Sequence, residues 1–309
     1  MDTQARIFVT GGRGLVGSAL VRALKKQGFT NIFAPTHAEL DLLDSRATAL
    51  FYQQEKPEYV IHAAARAGGL KESITYPSEF LYENSVMQNN VVWQAHLSGV
   101  KKLLFLASSC VYPKEAPQPM KEEYLLSNKF EPTNEAYSVA KVAGIKLCEY
   151  IYKQFGQEFI SCNPCNMYGE GDYFDHERGH VIGSLMLRMH EAKLSGAPEV
   201  VVWGTGQVLR EFLYVDDFAD AALFLLDQYH EKEFINVGSG TEISIRELAE
   251  TIKKEVGYTG KLVFDATKPE GVLRKVLDVS RIQALGWKPK ISFSEGLQKA
   301  YTDFLSKQS

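Results

Sequence analysis

Short apolar runs alternate with helix-length amphipathic segments along the first half of the chain. Arg6 to Thr10 predicts a strand, followed by a glycine-rich turn and a helical pattern that runs to about Gln27, with Gly28 as its stop. Asn31 to Ala34 predicts a second strand, closed by Pro35, and residues 45–56 a helix. Tyr59 to His62 predicts a third strand, residues 78–98 a long helix, and Lys102 to Ala107 a fourth strand. Residues 110–134 hold four prolines and read as loop. A helix over 135–155 and a strand from Glu158 to Cys162 follow. Beyond residue 163 the regularity weakens. Asn163 to Gly179 reads as a loop, followed by a helix (181–193), a strand (199–203), a helix (about 217–229), a strand-and-turn at Ile235 to Gly238, and helices near 244–256 and 294–306.

Near-continuous apolar strands separated by helices predict βαβ units and a parallel sheet covered on both faces. The expected fold is α/β: a Rossmann-type doubly wound parallel sheet over 1–163, with a smaller, interleaved C-terminal substrate lobe over 164–309. Some segments of that lobe are expected to return to the first domain. With 309 residues the core needs no disulfide or structural metal. The net charge of −4, from 34 basic and 38 acidic residues, argues against nucleic acid as a partner. No apolar run approaches the ~18 residues of a membrane span. The start of the chain lacks the basic and apolar pattern of a signal peptide. Four cysteines make no disulfide scaffold. A cytoplasmic protein with free thiols is expected.

The glycine-rich turn, Gly11-Gly12-Arg13-Gly14-Leu15-Val16-Gly17, follows a strand and opens a helix. Small residues let the backbone approach a pyrophosphate, and the helix N-terminus offers unpaired N–H groups to it. An NAD site usually places a carboxylate at the end of the second strand. Here that strand ends Ala34-Pro35-Thr36-His37, and Arg13 is available for a 2′-phosphate. The expected cofactor is NADP.

Tyr137-Ser138-Val139-Ala140-Lys141 places a tyrosine and a lysine on one helical face, where the ammonium helps the phenol exchange its proton. The spacing recurs at Tyr52 and Lys56, so position decides. Tyr137 comes after the fourth strand and its Ser108-Ser109-Cys110 end, and open α/β sheets bind ligands at the carboxyl ends of their strands. Ser108, Tyr137 and Lys141 are the expected triad.

Further runs are Leu40-Asp41-Leu42-Leu43-Asp44, Ala67-Gly68-Gly69, Glu131-Pro132-Thr133-Asn134, Val201-Val202-Trp203-Gly204 and Arg210-Glu211-Phe212, together with Ser108-Ser109-Cys110-Val111-Tyr112-Pro113-Lys114 and Gly179-His180-Val181-Ile182, which are more specific than the glycine turn. On these the chain resembles the GDP-L-fucose synthases, extended short-chain dehydrogenases/reductases, over nearly its whole length. The resemblance implies an NADPH-dependent enzyme that epimerises C3 and C5 of GDP-4-keto-6-deoxy-D-mannose and reduces its C4 ketone. The ketone makes the protons on both neighbouring carbons acidic. The resemblance assigns the base and acid to Cys110 and His180, the proton for the C4 oxygen to Tyr137, the nicotinamide ribose to Lys141 and the ketone to Ser108. Read alone, Cys110 is a small buried hydrophobe and His180 a structural histidine or helix cap.

The resemblance also implies that His37, Asp41, Leu42, Ala63, Leu106, Pro164, Asn166, Met167 and His180 join the glycine turn around the cofactor. Ser109, Asn166, Val181, Arg188, Trp203, Arg210, Glu270 and Lys275 are implied for the GDP-linked sugar, the arginines because their forks suit a diphosphate. It further implies a homodimer formed through the helices at 78–98 and 135–155. His37, Pro164-Cys165-Asn166-Met167-Tyr168-Gly169 and Gly171-Asp172-Tyr173-Phe174 depart from the family pattern. The altered substrate loop keeps open a related 4-keto reductase or epimerase acting on a colitose- or heptose-type sugar. A dinucleotide sensor without turnover is the alternative from another class. Cys162-Asn163-Pro164-Cys165 has no second pair, so no metal is expected.

Overall fold

The computed structural model describes residues 1–176, 179–268 and 271–308. In chain order it contains β1 (Ile7–Thr10), α1 (Leu15–Lys26), β2 (Ile32–Phe33), α2 (Ser45–Glu55), β3 (Tyr59–His62), α3 (Leu70–Thr75), α4 (Pro77–Leu97) and β4 (Lys102–Leu106). Then come α5 (Glu135–Phe155), β5 (Glu158–Pro164), β6 (Asn166–Tyr168), α6 (Val181–Ser195), β7 (Glu199–Trp203), β8 (Leu209–Tyr214), α7 (Val215–Gln228) and β9 (Ile235–Val237). The remainder is β10 (Glu242–Ser244), α8 (Ile245–Val256), β11 (Lys261–Asp265), β12 (Arg274–Lys275), α9 (Ser280–Ala284) and α10 (Phe293–Ser306).

Six parallel strands form the main sheet in the order β2-β1-β3-β4-β5-β9. All residues of β1 and β4 are buried, as a sheet covered on both faces requires. The chain leaves β1 toward β2 and returns to β3 on the other side. That reversal opens a crevice at the carboxyl ends of β1 and β3, where doubly wound sheets bind ligands.

A second hydrophobic cluster holds α6, α8 and α10 against β7 and β8, while α7, β9 and α9 pack into the first cluster. The later segments therefore interleave, because the apolar faces of α7 and α9 are buried only by going back to the sheet. Several elements differ from the expectation. The fifth strand runs on to Pro164, and the predicted loop after it contains β6, which pairs with β8. β8, β10, β11, β12, α3 and α9 have no counterpart in the apolar pattern. The charged pair Arg210-Glu211 interrupts β8, and the others are short or polar on at least one face.

Candidate active site

The glycine turn is shaped for a ligand's close approach. Gly11 sits at φ +69°, and a Cβ there would come 2.9 Å from the Ala64 backbone. A Cβ on Gly17 would lie 2.0 Å from the Gly11 carbonyl oxygen, so the turn closes only with glycine at both places. Gly14 caps α1 with no side-chain acceptor, and the first turn of α1 carries no acidic residue. Its N–H groups and the positive end of the helix are left for an anion.

Beside it lies a cavity of about 390 Å³ lined by Gly11, Gly12, Arg13, Gly14, His37, Leu42 and Ala63, together with Thr36, Met87 and Tyr173. A bare cradle of this kind fits a dinucleotide pyrophosphate. Leu15, Val16, Asp41, Leu106, Pro164, Asn166, Met167 and His180 lie outside that lining, and the Asn166 amide donates to the Glu211 carbonyl at 2.9 Å. The carboxylate nearest the end of β2 is Glu39. It is held below the usual carboxylate range by the Thr36 backbone N–H at 2.7 Å and the Thr36 hydroxyl at 2.9 Å. Arg13 and the exposed His37 are the basic side chains in the cavity lining.

The floor of the crevice is fixed by a buried pair, Thr10 Oγ1 and His62 Nδ1, 2.9 Å apart, with the Ala64 N–H donating to the same hydroxyl. Burial, and then the charge of Lys141, push the His62 imidazole down to about 3, so it is neutral.

Lys141 and Tyr137 reach the end of β4 because α5 packs hard against that strand. A Cβ on Gly144 would fall 2.2 Å from the Phe105 ring. The Lys141 ammonium donates to the Leu106 carbonyl at 2.9 Å and lies 5.8 Å from the centre of the Tyr137 ring. Burial pushes it down to about 8. Lost hydration, and then the nearby Cys110, push the Tyr137 phenol above its usual range, so it keeps its proton at neutral pH.

Ser108 caps a single 3₁₀ turn at Ser109–Val111, its hydroxyl accepting from the Cys110 N–H at 3.4 Å. Ser138, next to Tyr137, donates its hydroxyl to the Cys110 carbonyl at 2.7 Å. Ser108, Cys110, Tyr137 and Lys141 thus occupy one end of the sheet. The other Tyr-x-x-x-Lys pair lies elsewhere: Tyr52 is buried, with its hydroxyl on the Val91 carbonyl at 3.1 Å. Cys110 is the half-exposed cysteine, and Cys148, Cys162 and Cys165 are buried. Burial holds the thiols of Cys148, Cys162 and Cys165 well above the usual range. Among the described residues no group of three or more His, Cys, Asp and Glu side chains gathers as a metal site.

His180 occupies the N-cap position of α6, yet its side chain makes no capping bond. The imidazole is exposed. Burial pushes the Asp172 carboxyl up to about 6, with His180 pulling the other way. The Arg188 guanidinium donates to the Val201 carbonyl, and Arg210 donates to the carbonyls of Leu209 and Val272 at 2.8 and 2.7 Å. Trp203 is 56% exposed at the end of β7, and Val181 opens α6. Glu270 lies outside the described residues. Lys275 stands opposite Arg210 in the β12–β8 pair and donates to Cys110 Sγ at 3.5 Å.

Residues 7–238 match the NAD dependent epimerase/dehydratase family. The chain belongs to that family. GDP-L-fucose synthase 1 of Arabidopsis thaliana is 55% identical over 304 residues, 98% of this chain and 94% of that one. A solved GDP-6-OMe-4-keto-L-xylo-heptose reductase from C. jejuni superposes with a TM-score of 0.94 at 34% identity, covering 100% of this chain and 99% of that one. A GDP-L-fucose synthetase from Naegleria fowleri bound to NADP superposes with a TM-score of 0.92 at 30% identity, covering 100% and 96%.

For this member of the epimerase/dehydratase family, motif reading located the glycine turn and the β4 end. It missed His62, which carries no spacing signal of its own, and it read Asp172 and Tyr173 only as part of an altered substrate loop, whereas Tyr173 lines the cavity beside the glycine turn. It also gave no sign that Lys275 meets the thiol, since 165 positions separate the two residues.

Proposed function

We propose that this protein is a bifunctional NADPH-dependent 3,5-epimerase and 4-reductase that converts GDP-4-keto-6-deoxy-D-mannose to GDP-L-fucose. One observation carries the reading: Cys110 and Tyr137 share one end of the sheet, locked together by the Ser138 hydrogen bond to the Cys110 carbonyl. A base for carbon-bound protons and a proton donor for the ketone oxygen therefore face one substrate. The likeness to curated GDP-L-fucose synthases supports the same substrate.

Along the glycine turn, Arg13 and His37 would hold the 2′-phosphate of NADPH, which when bound would supply hydride for C4. The residues do the rest. Ser108 orients the ketone, which draws electron density from C3 and C5. Cys110, as thiolate, takes the proton from the carbon: the C–H bond breaks, the S–H bond forms, and the electron pair moves into the enolate oxygen. His180 returns a proton from the opposite face, inverting the centre. Tyr137 gives its phenolic proton to the C4 oxygen at reduction, with the Lys141 ammonium stabilising the charge left behind. Arg188, Arg210 and Trp203 receive the nucleotide. The proposal includes a cytoplasmic location, which suits a base with a free thiol.

The test is turnover in D₂O with NADPH and GDP-4-keto-6-deoxy-D-mannose. Deuterium at both C3 and C5 with NADPH consumed is expected. Deuterium at one carbon or at neither would reduce the activity to a partial epimerase or a plain reductase. Cys110→Ser should slow exchange by about 10²-fold or more while NADPH binding is kept.

The reading also includes a homodimer. α4 exposes Leu81, Tyr82, Trp93 and Leu97, and α5 exposes Val139, Tyr150 and Phe155, an apolar surface across two helices packed side by side.

A further inference from the structure

Lys275 lies in a strand of two residues, far along the chain from the residues it meets. Its neighbour Arg274 is paired with Glu242 at 2.7 Å. Lys275 has no carboxylate partner among the described residues, and its ammonium ends 3.5 Å from Cys110 Sγ. The backbone around it is fixed from three directions. β12 pairs with β8, which sets Lys275 opposite Arg210. The Val276 N–H donates to Gln118 Oε1 at 3.0 Å, and the Met120 N–H donates to the Val276 carbonyl at 2.8 Å. The Leu277 N–H donates to the buried Glu211 carboxyl at 2.8 Å. Gln118 and Met120 belong to the same excursion that begins at Cys110, so thiol and ammonium are carried on one hydrogen-bonded frame.

We infer that Lys275 is the positioning cation of the base: its ammonium pairs with the Cys110 thiolate and aims that sulfur at the substrate carbon. This rests on the reading of Cys110 as the base. It goes beyond the substrate contact that the sequence resemblance implies for Lys275. Opposite charge at hydrogen-bond distance stabilises the sulfur anion and fixes its direction. During proton abstraction the ammonium keeps its own protons. Only the C–H bond breaks and only the S–H bond forms, with the electron pair passing to the enolate oxygen. Lys275 therefore acts through Cys110 and needs no contact with the reacting carbon.

The experiment is iodoacetamide alkylation of the full-length, substrate-free enzyme at neutral pH. The other three cysteines are buried, and Cys110→Ser supplies the blank. Lys275→Met should slow alkylation of Cys110 about ten-fold or more, while Lys275→Arg keeps it within about three-fold. In turnover, Lys275→Met should lower kcat for deuterium exchange more than it raises KM. NADPH affinity reports an intact fold, and Lys275→Gln is a second neutral variant should Met disturb the strand. An unchanged alkylation rate in a folded neutral variant, with only KM raised, overturns the inference and leaves Lys275 as a substrate contact. Failure of the wild type to exchange deuterium overturns the proposed function instead, and the alkylation rates still decide the pair.

Discussion

Lys141 sits where a lysine is costly. Its ordinary value is 10.5, and burial brings it down to about 8. Below 8 it is charged whether the chain is folded or unfolded, and the buried charge weakens the fold. Above 10.5 it is neutral in both states and that cost is gone. Lys141→Met is therefore expected to stabilise the protein at pH 7 by up to about 3 kcal/mol, read from urea unfolding. The gain should shrink as pH rises from 8 toward 10.5. The same variant should lose NADPH oxidation by about 10²-fold or more. A fold that carries this penalty and an activity that disappears without it would mark the ammonium as functional. Tyr137→Phe should likewise stop reduction, yet leave Cys110-dependent deuterium exchange measurable.

α5 is the element that turns sequence spacing into a site. Gly144 lets it lie against the Phe105 ring, and Ser138 ties its first turn to Cys110. Gly144→Val should cost about 1–3 kcal/mol through overpacking, seen as a lower urea midpoint. It should reduce NADPH oxidation more than NADPH affinity, because the glycine turn proposed for the cofactor lies between β1 and α1 instead. The main-sheet strands were legible because burial on both faces makes them continuous apolar runs, as in Lys102 to Leu106. β8 was not, because it places Glu211 in the interior, where its carboxyl serves the N–H groups of Gly240 and Leu277. A buried charge that satisfies backbone donors reads in sequence as a surface position. The glycine turn and the Tyr137–Lys141 pair were legible because each lies within a few residues of chain. The Lys275–Cys110 contact was not, since it exists only once separate segments meet.

At the scale of the whole molecule, Glu211 joins β8 to the turn after β9 and to the chain beyond β12. Burial, opposed by those N–H donors, pushes its carboxyl up to about 7 from an ordinary 4.5. Its contribution is complete below 4.5 and is lost as pH rises through 7. Glu211→Gln should flatten the fall in stability between those values, a difference of about 3 kcal/mol at most, measured by urea unfolding at several pH values. The apolar side chains that α4 and α5 expose together would be covered in the proposed homodimer. Trp93→Glu is expected to give a monomer in sedimentation.

The lining of the cavity proposed for the cofactor is complete by Tyr173, whereas the ammonium beside Cys110 comes from Lys275. Contacts so far apart along the chain form late in folding, because a long loop must close first. On dilution from denaturant, NADPH fluorescence is therefore expected to recover before deuterium exchange does. The folding chain would hold its reductant before the proposed base met its cation, a sequence that keeps the Cys110–Lys275 pair out of the earliest compact states.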